Sequence, residues 1–384
     1  MATFSPATRV SDLPGNFFAD LDRRIASARA SGTDVIDLSK GNPDLPTPDH
    51  IVRAAQRAVA DPAHHRYGPF EALPDLGDAI AARYRIDHGV EVDPAEDIAV
   101  FHGSSEGFMS AVLALVNPGD TLVVPDPGYP AYREAASLAG AELATIGLDA
   151  ERGHAPDPAR VGAERAAAML LNYPHNPTGA VADADTFETA LTVSERLGAV
   201  FLHDFAYGSI GFDEPPLSAL AVDSSFERTV EISTLSKTYN MAGWRIGYAV
   251  GNPSVIAAMR ALQESAYSSV FGAMHDAAAA ALAGDQAPAR RLVDVYRRRR
   301  DLVVSALRSS GWNVRHTRGT FFVWLRVGDD DIAFAQELLA SHGVAVASGS
   351  GFGTGGAGFV RLSLVHDEET LLRAIERFPA PRTP

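Results

Sequence analysis

The chain of 384 residues contains no cysteine and only two lysines, Lys40 and Lys237, among 33 lysine and arginine side chains. Without cysteine, neither a disulfide framework nor a thiolate metal site is possible. A reducing compartment is compatible with that. There is no apolar run long enough to span a bilayer. The opening Met-Ala-Thr-Phe-Ser-Pro lacks the basic-then-apolar pattern of a signal peptide. A net charge of −15 argues against general affinity for nucleic acid. A soluble, cytoplasmic protein is the expectation. Scarcity also singles out the lysines that remain. Arginine stays protonated, whereas lysine can release its proton and react as an amine with an aldehyde. The plain alternative is a coding bias that removed lysines and left two by chance.

The chain is long enough to bury a large core and to form two or three domains, or one large and one small. A helical stretch is expected at 17–30, followed by an apolar run at 35–38. The segment Gly41-Asn-Pro-Asp-Leu-Pro-Thr-Pro48 is dense in turn residues. From there to about residue 275, helical patterns alternate with short apolar runs at 98–101, 121–124, 167–171, 199–203 and 229–232. This alternation predicts an α/β fold, a mostly parallel sheet with helices on both faces. In such sheets ligands collect at the carboxyl ends of strands. Beyond 275 come an Ala- and Arg-rich helical region, Phe321-Phe-Val-Trp-Leu325, another helix, a Gly-rich loop at 349–358 and Phe359-Val-Arg-Leu-Ser-Leu364. These read as a smaller α+β domain.

Several segments directly after predicted strands carry candidate chemistry. His102-Gly-Ser-Ser-Glu-Gly-Phe-Met109 opens a helix, where free N–H groups and the helix dipole favour a phosphate. Ser104 and Ser105 add hydroxyl donors there; read alone, the segment is more simply a plain Ser N-cap. In Pro125-Asp-Pro-Gly-Tyr-Pro130, Tyr129 can lie flat on a planar ring or be an ordinary turn tyrosine. Asn176 sits on a sharp turn in Leu171-Asn-Tyr-Pro-His-Asn-Pro-Thr-Gly179, so its amide can face a cleft. Asp204 ends a strand. A carboxylate there keeps a pyridine nitrogen protonated, or merely caps the next turn. Tyr207, three residues on, can hydrogen-bond a phenolic oxygen. Lys237 lies in Ser233-Thr-Leu-Ser-Lys-Thr-Tyr-Asn-Met-Ala-Gly-Trp-Arg245. Arg245 and Thr234 suit a phosphate, and Arg361 suits a carboxylate by its fork of donors.

This ordered series closely resembles the class I/II aminotransferases of the fold-type I pyridoxal-phosphate family. The resemblance covers nearly the whole chain, from Gly41-Asn-Pro-Asp to Arg361. The stretches Asp34-Val-Ile-Asp-Leu-Ser-Lys-Gly-Asn-Pro-Asp44, Val123 to Tyr132 and Leu235 to Gly247 are similar to LL-diaminopimelate aminotransferases and to related alanine and aromatic aminotransferases. The resemblance implies a pyridoxal 5′-phosphate enzyme that moves an amino group from an L-amino acid to a 2-oxo acid. It implies that Lys237 forms the internal aldimine and shuttles the proton. Asp204 would pair with the ring nitrogen, Asn176 and Tyr207 would contact the phenolic oxygen, and Tyr129 would stack on the ring. Ser104, Ser105, Thr234 and Arg245 would hold the phosphate. Gly41, Asn176 and Arg361 would meet the substrate. A homodimer is implied, with Tyr67 reaching the phosphate of the neighbouring subunit. So is a division into an N-terminal arm with part of a small domain (1–48), a large cofactor-binding domain (49–275) and a small C-terminal domain (276–384). Two departures stand out. Many relatives carry Lys where this chain has Ser105, so one positive charge near the phosphate is missing. Many have Pro-Gly where this chain has Ala347-Ser-Gly349, and the loop that follows is expected to be more mobile.

Other features read plainly. His64-His65 has no carboxylates at metal spacing, and no metal is expected. Arg297 to Arg300 in an acidic chain read as a solvated, ion-paired helix face rather than a nucleic-acid patch. Lys40 reads as an ordinary strand-end lysine, although it lies next to Gly41. A lyase or an oxidase on the same scaffold is the alternative function. A cofactor-sensing regulator is the remote one, because the enzyme-like part begins almost at the first residue.

Overall fold

The apolar runs of the first two-thirds of the chain become neighbouring strands. The structure, a computed structural model, describes residues 4–381. After the short β1 (Ile36–Asp37), eight strands make the large sheet: β2 (Ile98–Phe101), β3 (Thr121–Asp126), β4 (Glu142–Asp149), β5 (Ala155–Val161), β6 (Ala168–Asn172), β7 (Val200–Asp204), β8 (Thr229–Thr234) and β9 (Gly247–Gly251). Their order is β2-β9-β8-β7-β6-β3-β4-β5. The run from β4 through β3, β6 and β7 to β8 is parallel. β9 runs antiparallel to both of its neighbours, and β5 runs antiparallel to β4.

Side chains alternate across the strands, and both faces are covered. Leu122 and Val124 pack with Phe108, Tyr132 and Met259, which come from helices Ser104–Leu115, Ala131–Ala139 and Pro253–Ala266. Val123, between them, packs on the opposite face with Phe187 and Val193 of helix Ala184–Leu197. A strand buried on both faces needs a continuous apolar run rather than alternation, and Leu-Val-Val supplies it. The helix Ala184–Leu197 is bounded as its sequence implies. Asp183 caps its start by accepting from the Thr186 N–H, and Gly198 ends it in the left-handed region at φ +68°.

A smaller unit is built from both ends of the chain. β10 (Phe322–Arg326), β12 (Ala347–Ser348) and β13 (Phe359–Ser363) form an antiparallel sheet, while β1 pairs in parallel with β11 (Val344–Ala345). Leu38, Val303, Val323, Leu362 and Leu371 share one core there. Residue 275 falls inside helix Gly272–Ala283, whose Ala277 and Ala278 pack with Ile98 and Val250 of the large sheet. Among the described residues, no helix is long and apolar enough to cross a membrane.

One expectation needs correcting. The arginine run is ion-paired, but only half of it is solvated. Arg299 forks onto Asp44, with both contacts at 2.8 Å, and donates to the Leu364 carbonyl. Arg300 donates to Asp301 and the Thr317 carbonyl. Both are buried, while Arg297 and Arg298 face outward. The Gly-rich loop folds into two 3-10 turns that bond to buried carboxylates. Asp331 accepts from the N–H and hydroxyl of Ser350 at 2.8 Å, and Asp126 accepts from Thr354 and the Gly355 N–H.

Candidate active site

β6, β7 and β8 are parallel neighbours, so their carboxyl-terminal residues Asn172, Asp204 and Thr234 lie at one edge of the sheet. The Asp204 carboxylate is buried. It accepts from the Tyr132 hydroxyl at 2.6 Å and from the Ala206 N–H at 3.1 Å. Burial raises its pKa above the ordinary value, and the Tyr132 hydrogen bond pulls the other way. The Asn172 amide donates to the Asp204 carbonyl at 2.7 Å and accepts from the Asn176 N–H at 2.8 Å. Asn172 therefore fixes the Asn176 turn over the end of the sheet.

From β8 the chain passes straight into the helical turn Leu235–Thr238, capped by the Thr234 side chain. That turn places Lys237 in the cleft above the strand end. Its Nζ donates to the Gly41 carbonyl at 2.8 Å and stands 5.7 Å from the centre of the Phe321 ring. Burial lowers the Lys237 pKa to about 8, and the positive charges of Arg361 and Arg245 push the same way. The amine is therefore substantially neutral in weakly alkaline solution, which an ordinary lysine is not.

The helix Ser104–Leu115 begins at Gly103, whose φ is +87°. A Cβ there would stand 2.5 Å from Nη2 of Arg245, so glycine lets the guanidinium lie against the helix start. Arg245 is held by the carbonyls of Ala242 at 3.0 Å and His102 at 3.1 Å. Free N–H groups, a helix dipole and a guanidinium at one place favour an anion. Ser104 and Ser105 face the same space.

Arg361 comes from β13 of the small sheet and is only 2% exposed. It donates to Asn176 Oδ1 and to the Ser39 carbonyl, both at 2.7 Å. Its guanidinium lies over Phe322 at 4.0 Å, with Phe352 and Phe18 on further sides. Its Nε has no hydrogen-bond partner among the described residues although it is buried. Burial lowers its pKa to about 10, so it remains a cation at neutral pH. Gly41 abuts this group, and a Cβ there would stand 2.8 Å from Cζ of Phe322.

All the site residues expected from the sequence except Tyr67 line one cleft of about 290 Å³, Tyr129, Tyr207 and Thr234 included. Tyr67 is 96% exposed and lies outside it. Tyr129 meets Tyr132 edge to face at 5.6 Å, and Tyr207 meets Phe321 likewise at 5.4 Å. The sequence reading overlooked Tyr132, Asn172, Phe18, Asp22 and Phe322, which also line the cleft. Asn172 stood inside the Asn176 motif, and Tyr132 stands one helical turn after Tyr129. Lys40 lines the cleft as well and pairs with Asp22 at 2.8 Å.

The family described as aminotransferase class I and II matches residues 33–378. An L-glutamine--4-(methylsulfanyl)-2-oxobutanoate aminotransferase of Bacillus subtilis is 44% identical over 97% of this chain and 96% of its own length. An LL-diaminopimelate aminotransferase of Desulforudis audaxviator is 41% identical over 98% and 97%. Among solved structures, substrate-bound BacF from Bacillus subtilis superposes with a TM-score of 0.92 at 36% identity, covering 98% of this chain and 97% of that one. A double mutant of Thermus thermophilus aspartate aminotransferase gives 0.90 at 31% identity, over 98% and 99%. The chain belongs to the class I and II aminotransferases, pyridoxal-phosphate enzymes of fold type I that carry an amino group from an amino acid to a 2-oxo acid.

Proposed function

We propose that Lys237 is the amine that carries the proton in this aminotransferase, with Arg361 anchoring the substrate. The observation that carries the reading is the lowered pKa of Lys237, about 8, in the cleft that Arg361 also lines.

The residues present suit pyridoxal phosphate. The Gly103 turn leaves room for Arg245 at a helix start, a cradle for a phosphate. Asp204 offers a buried carboxylate and Lys237 a reactive amine. When bound, the cofactor supplies an aldehyde for the amino acid's nitrogen and a conjugated ring that accepts the electron pair released at the α-carbon. Ser104, Ser105, Thr234 and Arg245 would hold the phosphate. Tyr129 would lie against the ring, and Asn176 and Tyr207 would donate to its phenolic oxygen. Asp204 would keep a proton on the ring nitrogen, because an adjacent negative charge favours the protonated form. Arg361 grips the α-carboxylate with its fork, and Gly41 leaves space beside it. Lys237 Nζ, neutral once its own proton has gone, takes the α-proton and delivers it onward. A folded Lys237→Ala protein is expected to lose transamination. Substantial turnover would refute the assignment.

A homodimer in the cytoplasm belongs to the same proposal. Tyr67 of the partner subunit would reach the phosphate, a role supported by its exposure outside its own cleft. The division into 1–48, 49–275 and 276–384 is supported by the pairing of β1 with β11, and helix Gly272–Ala283 straddles its second boundary. The relatives are named for glutamine, LL-diaminopimelate and aspartate, so membership of the family leaves the donor open.

A further inference from the structure

Resting on that reading, the cleft also contains a feature suited to choosing the donor. Phe18, Asp22 and Lys40 line the cleft that Arg361 and Lys237 share, and a donor held by those two would have this stretch of wall open to its side chain. Phe18 lies against the Arg361 guanidinium at 5.3 Å. Asp22 follows one turn later on the same helix, Phe17–Ala30, and so presents to the same side. Lys40 directly precedes Gly41, whose carbonyl receives Lys237 Nζ. The Lys40 ammonium and an Asp22 oxygen are 2.8 Å apart, and each side chain is 49% exposed.

An ion pair this accessible contributes little to stability and gives way easily. Its chemistry is selective. A carboxylate approaching Lys40 also approaches Asp22 and is repelled. An aliphatic end strips water from both charges and returns no hydrogen bond. A primary carboxamide satisfies both, its oxygen accepting from Lys40 and its NH₂ donating to Asp22. We propose that the Asp22–Lys40 pair reads the end of the donor side chain and selects amino acids with a neutral carboxamide end.

The test is kcat/KM of the cofactor-loaded enzyme for half-transamination of L-glutamine, its isostere L-glutamate, L-norleucine and L-lysine. Wild type is expected to favour glutamine over glutamate and norleucine by about tenfold or more. Asp22→Asn leaves the Lys40 charge alone and shifts the glutamine-to-glutamate ratio toward glutamate by about tenfold. Lys40→Met leaves Asp22 alone and shifts preference toward lysine. A pair that only tied the helix to the strand would lower every donor alike in both variants. Unmoved ratios, or a wild type that prefers glutamate or norleucine, overturn the proposal while transamination stands. A wild type that converts none of these or any other amino acid overturns both readings.

Discussion

Arg361 and Asn176 are joined by a 2.7 Å hydrogen bond from Nη1 to Oδ1, across 185 residues of chain. It links β13 of the small sheet to the turn that follows β6 of the large one. The acceptor side of Asn176 is occupied by this bond, which leaves the amide's N–H groups for a ligand. The guanidinium keeps a buried Nε without a partner among the described residues.

That geometry makes Arg361→Lys more than a conservative change. The charge survives, but the fork does not. kcat/KM for α-amino acids should fall on the order of 10²–10³-fold. Reaction with the corresponding decarboxylated amine should change far less. Steady-state kinetics with both compounds checks this, and equal losses would contradict a carboxylate-binding role.

Lys237 sets a pH dependence. Its pKa is lowered to about 8 from 10.5, so the neutral amine accumulates as pH rises through about 8. Only the neutral amine attacks an aldehyde. The rate at which apoprotein captures pyridoxal phosphate should therefore rise with pH and level off above about 8 to 9. Stopped-flow absorbance follows it. A rate still climbing steeply above pH 10 would show an unperturbed lysine.

Tyr132 donates to Asp204 and favours its ionised form. Removing that donor in Tyr132→Phe should raise the Asp204 pKa further, so activity should fall away at higher pH on the acid side of the profile. Asp204→Asn should be severer, lowering kcat on the order of 10²–10³-fold with the phosphate still bound. Unchanged acid limbs would separate Tyr132 from the chemistry.

The proposed role of Tyr67 predicts complementation between subunits. Tyr67→Ala weakens cofactor binding at both sites of a dimer, and Lys237→Ala disables both. Mixing the two and allowing subunit exchange gives heterodimers with one intact site. Recovery of activity at low cofactor concentration is expected. Activity no higher than that of Tyr67→Ala alone would rule out a contribution of Tyr67 across the interface.

The reading of the sequence succeeded where local pattern decides the outcome. Apolar runs such as Leu122 to Val124 are buried on both faces, and the residues just beyond such runs reach the cleft. β5, at the sheet's edge, and its neighbour β4 were overlooked because both are partly exposed and lack a clean apolar run. β9 was overlooked because glycines bound it and it runs against its neighbours. Tyr132 and Asn172 gain their importance from partners 72 and 32 residues away, and local spacing carries no trace of such contacts. The burial of Arg299 likewise depends on Asp44, 255 residues distant.

The most direct test of the account is a single turnover with amino donor and no 2-oxo acid, run on cofactor-loaded wild type. The account predicts stoichiometric conversion of the bound cofactor to pyridoxamine phosphate with release of one 2-oxo acid, and no conversion with Lys237→Ala. Repeated turnover with release of ammonia, the starting absorbance returning each time, would contradict it and assign the cleft to elimination or oxidation.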